Sequence, residues 1–145
     1  MSAGSGITHS EFNGSPTELL HFLQIWIKPN VMNIAPSYEE RHFTQAERRG
    51  RLRLVISPDG ADGSLSMHQN AKLYAGLFDL DEAASLTMKP GRALYVHAAR
   101  GEIEANGIAL AAGDALRVVS GNGLQLQRGH GAEVLVFDLP APYLR

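Results

Sequence analysis

The side chains that could do chemistry are few enough to weigh one at a time. The chain has six histidines, at positions 9, 21, 42, 68, 97 and 130, and no cysteine. Disulfides and thiolate sites are thereby excluded, so any metal must rest on histidine, carboxylate or backbone oxygen. His9 and Glu11 stand out on a polar, Gly/Ser-rich opening stretch. His21 lies on one face of an apolar run and reads as a packed, hydrogen-bonded histidine. His42, His68 and His130 fall in polar, loop-like stretches and read as surface residues. Paired carboxylates at Glu39-Glu40 and Asp81-Glu82 sit in charged segments that read as solvated loops. The cluster Arg48, Arg49, Arg51 and Arg53 could hold a phosphate, but Glu39, Glu40 and Glu47 are close in sequence and no aromatic residues interleave, which favours a solvated strand edge. No nucleophile elbow, P-loop or dinucleotide fingerprint occurs, and Gly4-Ser5-Gly6 is too short a glycine signal to count.

The elements that must position these residues are short. Fifteen glycines, seven prolines and many brief apolar runs argue for an all-β sandwich or barrel, and at 145 residues for a single domain. The formal net charge of −2 is spread along the chain, so no nucleic-acid footprint is present. The opening residues have neither a basic nor an apolar region of the signal type, and no apolar run approaches the roughly 20 residues that span a bilayer. A soluble protein of the cytoplasm is expected, without a membrane partner.

Residues 1–18 read as a flexible arm. Residues 19–27, LLHFLQIWI, form the strongest strand candidate, apolar on both faces and expected to be buried between layers. Pro29 stops it, residues 30–37 read as a loop, and residues 38–49 could hold a short helical turn. In residues 51–57, Arg51 and Arg53 alternate outward against Leu52, Leu54 and Ile56. Turn chemistry at Ser57-Pro58-Asp59-Gly60 and Asp62-Gly63 separates this strand from shorter ones at 64–68, 72–79 and 85–88. A central hairpin over residues 92–121 has a strand ending at Gly101, a turn at Asn106-Gly107 and a further strand after Gly113-Asp114. Two last strands, at 123–127 and 132–139, bring the expected total to nine or ten, and Pro140 and Pro142 close the domain.

Taken together, HSEFN, LHFLQIWI before a proline loop, P-x-YEERHF, L-x-LV-x-SPDG-x-DGSL, HQNAKLYAG and EVLVFDLP resemble the pirin family of quercetinase-like bicupins along essentially the whole chain. The resemblance implies an all-β cupin, an RmlC-like jelly-roll barrel (double-stranded β-helix) of two packed antiparallel sheets. Residues 1–18 would be the tail of a preceding cupin's metal segment and 19–145 a pirin-like C-terminal cupin. In the family a metal, usually iron, sits in the N-terminal cupin on three histidines and a glutamate. The segment A-G-x-G-[IV]-x-H-[SQ]-E that carries the last two ligands corresponds here to residues 3–11, placing His9 and Glu11 at the third histidine and the glutamate. The H-x-H pair that supplies the other two is absent from this sequence and is expected upstream of Met1. Because Met1-Ser2-Ala3-Gly4 fits inside that pattern, these residues read as natural chain rather than an expression tag.

Cupins also carry ligands inside the barrel, and aligning the two cupin motifs by their glycines tests this second barrel. The glutamate position falls at Leu94, the histidine positions at Met88 and Pro90 or at Thr87 and Lys89, and the last histidine at Leu124. None supplies a ligand set. His97 lies nearby, but strand alternation puts Leu94, Val96 and Ala98 on one face and Tyr95 and His97 on the other.

Two functional readings follow. In the first, this is a metal-free C-terminal cupin acting as a structural or interaction module, or binding a small apolar or flavonoid ligand in a barrel lined by Leu94 and Leu124. In the second, it belongs to a flavonol (quercetin 2,3-) dioxygenase that uses iron or another divalent metal, with His9 and Glu11 completed by another chain or a missing N-terminal half. A first-row metal needs three or four protein ligands, so two are insufficient alone. An arm and an apolar face without sheet partners imply self-association, and a homodimer is expected, with arm exchange as one route to it.

Overall fold

Regular structure begins only near the end of the first third of the chain. In the computed structural model, which describes residues 1–141, nothing before residue 45 forms a helix or strand, apart from an isolated bridge between Ser2 and Ser37. The first element is a single helical turn, α1 (Gln45–Arg48). Thr44 caps it reciprocally: its hydroxyl accepts from the Glu47 backbone N–H at 3.3 Å, and its own N–H donates to Glu47 Oε2 at 2.7 Å.

Eight strands follow: β1 (Arg53–Ser57), β2 (Leu65–Ser66), β3 (Lys72–Phe78), β4 (Ala84–Thr87), β5 (Arg92–Ala105), β6 (Ile108–Ala111), β7 (Ala115–Val118) and β8 (Gly123–Pro140). They run in the order β2-β1-β3-β8-β5-β6, with β4 added on β8 and β7 on β5. All pairings are antiparallel except β1 with β2. The frame is the long β5–β8 ribbon. The first half of β5 pairs with β7 and its end with β6, while the start of β8 pairs with β4 and its end with β3.

The ribbon bends in the middle, where its register shifts between Ala98 and Glu104. Gly101 on β5 and Arg128 and Gly131 on β8 all take positive φ there. A Cβ on Gly101 would run into the carbonyl oxygens of His130 and Gly131, so glycine is required at this crossing. The bend lets two strands serve both layers, and one continuous mixed sheet replaces the two separate antiparallel sheets expected. The β5–β6 hairpin closes on Asn106 (φ 50°) and Gly107 (φ 81°), the left-handed pair a two-residue turn demands.

Alternation then decides what is inside. Leu94, Val96 and Ala98 of β5 meet Leu124, Leu126, Val134 and Val136 of β8, with Phe78, Ile103, Leu110 and Val118 completing one buried cluster. A smaller cluster of Val55, Leu73 and Ala75, with Phe43, Ile56, Leu135 and Phe137 packed on it, covers the opposite face of β1, β3 and β8. These strands are therefore apolar on both sides, and Val55 is buried alongside the Leu54 that alternation had pointed inward.

Three expectations are corrected. Residues 19–27 are not a strand and are not buried between layers: Leu19, Leu20, Phe22, Leu23, Ile25 and Trp26 are all exposed. Their pattern is that of a buried strand, but no sheet edge in the described chain pairs with them, and a strand without a ladder leaves its backbone to solvent. The two final strands are one, because Arg128 and Gly131 carry the chain through its bend without leaving the ladder. The strands therefore number eight among the described residues; Pro142 lies outside them.

Candidate functional site

The opening arm is tied to the loop that precedes α1. Ser2 and Ser37 exchange backbone hydrogen bonds at 2.8 and 3.1 Å, and the Ser5 N–H donates to the Ile34 carbonyl at 3.0 Å. Gly4 sits at φ 55° against that same carbonyl, where a Cβ would collide. Beyond this anchor, residues 6–13 form no helix, strand or turn. His9 Nε2 lies 3.6 Å from Glu11 Oε1, with the two side chains 39% and 52% exposed. Nitrogen and oxygen donors thus converge on open space, in a chemistry suited to a divalent first-row metal.

Two donors do not make a centre. Among the described residues no group of three or more His, Cys, Asp or Glu side chains is placed to hold an ion. The other histidines stand apart: His21 Nδ1 accepts from Arg100 Nε at 3.0 Å, which bears out its hydrogen bonding although the residue is exposed. His42, His68 and His130 are exposed, and His97 is half-buried on the face opposite Leu94 and Val96, as alternation requires.

Leu94 and Leu124 lie inside the barrel at 1% and 2% exposure, among Phe78, Ile103, Leu126, Val134 and Val136. Met88 packs against the same cluster. Two concavities lie elsewhere, on the outer face of the sheet. One, of about 400 Å³, is lined by Arg41, His42, Phe43, Arg48, Val55, Ile56, Leu65 and Ala75. The other, about 180 Å³, lies between His21, Phe22, Leu23 and the β5–β8 ribbon at Arg100, Glu133 and Leu135.

Sequence reasoning missed how the arginine cluster divides. Arg51 is exposed and Arg49 pairs with Glu82 at 3.4 Å, in keeping with a solvated edge. Arg48 and Arg53 instead turn inward, at 20% and 19% exposure, and each encloses an Nε atom that makes no hydrogen bond. The available signal was Phe43, an aromatic two residues from Arg41 in a largely polar stretch. Its ring lies under the Arg41 and Arg53 guanidiniums, 5.0 and 5.5 Å from centroid to carbon.

The bent, bilayered barrel is that of the cupin class. A cupin from Bacteroides fragilis shares the fold at a TM-score of 0.54 over 77% of this chain and 91% of its own, at 17% identity. The family is narrower: residues 54–139 match the quercetinase C-terminal cupin domain, and the chain belongs to the pirin family as its C-terminal cupin half. Quercetin 2,3-dioxygenase of Escherichia coli K12 is 39% identical over 140 residues, covering 97% of this chain and 59% of that protein. The crystal structure of Escherichia coli YhhW superposes with a TM-score of 0.74 at 31% identity, over 83% of this chain and 50% of YhhW. The structure of YhhW in complex with nickel(II) gives 0.71 at 32% identity, over 79% and 48%. The chain thus spans about 58–60% of the length of the curated relatives it matches.

Proposed function

We propose that this chain is the structural and interaction half of a quercetinase-like assembly, its barrel carrying no metal of its own and its arm lending His9 and Glu11 to a site shared with ligands from outside the barrel. One observation carries the reading: where cupins place ligands, Leu94 and Leu124 are packed into a closed apolar core, whereas the His–carboxylate pair reached by the family pattern stands exposed on the arm. Both residues have donor types that a divalent metal accepts, and a bound metal would supply the Lewis acid at which a flavonol and dioxygen are brought together. Within this chain, His9 and Glu11 hold and orient; the barrel excludes water from its interior and fixes the loop to which the arm is tied.

The assembly partner is, in this reading, a second copy or an N-terminal cupin that covers the exposed side chains of residues 19–26. Six large apolar side chains there are too many for a monomer to leave in water without consequence. A cytoplasmic site of action fits a chain without cysteine, and no helix among the described residues is long and apolar enough to cross a membrane. A flavonoid would be the substrate of the whole assembly.

The test is elemental analysis after loading with iron or nickel and desalting. The chain alone should retain far less than one equivalent. Mixed with an H-x-H-bearing N-terminal cupin, it should retain one equivalent and consume quercetin, and His9→Ala should abolish both. Tight one-to-one binding by the chain alone that is lost in His9→Ala would overturn the shared site.

A further inference from the structure

The cleft beneath Phe43 combines three features that no part of the metal reading uses. Its floor is apolar, made by Val55, Ile56, Leu65 and Ala75, and its volume of about 400 Å³ falls in the range of small-molecule sites. Its rim is cationic, with Arg41 and Arg48 lining it and Arg53 stacked on the Phe43 wall.

The third feature is a shortage of counter-charge. Four guanidiniums on this face share two carboxylates. Glu133 takes Arg48 at 2.8 Å and Arg100 at 3.8 Å, and Glu47 faces Arg41 at 3.7 Å and Arg53 at 3.9 Å. The two Glu47 contacts are longer than hydrogen bonds, and Glu47 spends its other oxygen on the Thr44 N–H and hydroxyl. Arg41 and Arg53 direct donors to the backbone carbonyls of Gly63 and Asp62, which offer partial charge only. The enclosed Nε atoms of Arg48 and Arg53 make no hydrogen bond, Arg53 Nε having only the 3.9 Å approach of Glu47. A cation withdrawn from water without full compensation is costly, and an incoming anion relieves that cost.

We propose that this cleft binds a small organic carboxylate with a flat apolar body. The guanidinium fork matches a carboxylate in two parallel hydrogen bonds, which assigns the anionic head to the Arg41–Arg48 rim. The apolar body lies on Val55, Ile56 and Ala75, with Phe43 as its wall. A bare phosphate or sulfate would meet the rim but leave the floor in water, so an apolar tail is part of the recognition. His9 and Glu11 do not line this cleft, so the carboxylate site stands or falls apart from the shared metal site.

The experiment is a titration of isotope-labelled full chain, followed by backbone amide shifts at pH 7.5, with 2-naphthoate and with neutral 2-naphthamide. The naphthoate should saturate, bind at least tenfold more tightly than the amide, and shift Val55, Ile56 and Ala75 first. Arg48→Gln and Arg41→Gln should each cut the acid-over-amide preference about fivefold or more while leaving the other β-strand shifts in place. Equal affinity for acid and amide, absence of saturation, or shifts confined to residues 19–27 would overturn the site. The acid-against-amide comparison needs no variant, so a misfolded arginine variant leaves the result decisive.

Discussion

Residues 19–27 and the first half of β5 carry nearly the same kind of sequence and end in opposite environments. Leu-His-Phe-Leu-Gln-Ile-Trp-Ile is as apolar as Ala-Leu-Tyr-Val-His-Ala, yet Val96 and Ala98 are wholly buried while Trp26 is 86% exposed. Strand β5 has β7 on one side and β8 on the other, so its backbone donors and acceptors are spent and its inner face meets a core. Residues 19–27 have no ladder, and their strongest fixed point is the side-chain bond from Arg100 to His21. Hydrophobic pattern thus states a demand for burial; a free sheet edge is what meets it.

The comparison can be broken most forcefully inside the barrel. Leu94→Ala removes a side chain from a closed core and should cost about 2–5 kcal/mol, read from the midpoint of chemical unfolding. A loss below ~1 kcal/mol would mean that the interior is loosely filled and that a small apolar ligand beside Leu94 and Leu124 deserves the stronger claim. Gly101→Ala comes next: it combines a left-handed φ of 65° with the collision against the His130 and Gly131 carbonyls, so a cost of about 2–3 kcal/mol is expected. A neutral outcome would show that the ribbon's bend can be made without this crossing.

How much of this was legible follows the same division. The strand after the Asp62-Gly63 turn, the Asn106-Gly107 hairpin and the facing of Leu94, Val96 and Ala98 against Tyr95 and His97 could be read because each depends on local alternation and turn chemistry. The fusion of two expected strands into β8 was not legible: Arg128-Gly129-His130-Gly131 reads as a break, and only pairing with β5 keeps it in the sheet. Arg53 looked outward by alternation and is held inward by Phe43, a residue outside its strand. His9 and Glu11 were reached through family resemblance, since nothing in the spacing of two polar residues on an arm separates ligands from surface side chains.

Acid should probe the carboxylates that tie bends and caps together. Gln127 first, and then Arg128, hold Glu104 below its ordinary value of 4.5, with contacts at 2.5 and 2.8 Å beside the bend in β8. Glu47 is lowered in the same direction by the Thr44 backbone N–H and hydroxyl. A carboxylate whose folded value lies below its unfolded value binds more protons unfolded than folded as pH falls. Its stabilisation is complete above the unfolded value and is lost as pH drops through the folded one. The melting temperature should therefore hold level from pH 7 to about 5 and decline below 4.5, less steeply in Glu104→Gln. A decline of the same steepness in the variant would assign the acid response to other groups.

The smallest effect on stability is expected where the exposed apolar area is largest. Trp26→Ser deletes an indole that touches water over most of its surface, so at low protein concentration it should change unfolding by under about 0.5 kcal/mol, about a quarter or less of the Leu94→Ala effect. Its consequence should appear in association instead. If residues 19–26 are covered by a second copy, as proposed, sedimentation of the wild-type chain at micromolar concentration will show a dimer that Trp26→Ser weakens. A monomeric wild type would remove the second copy as the partner of this face and leave an N-terminal cupin as its occupant. A dimer indifferent to Trp26→Ser would instead place the interface away from these residues. The contrast between β5 and residues 19–27 would then lie in the barrel's completeness alone.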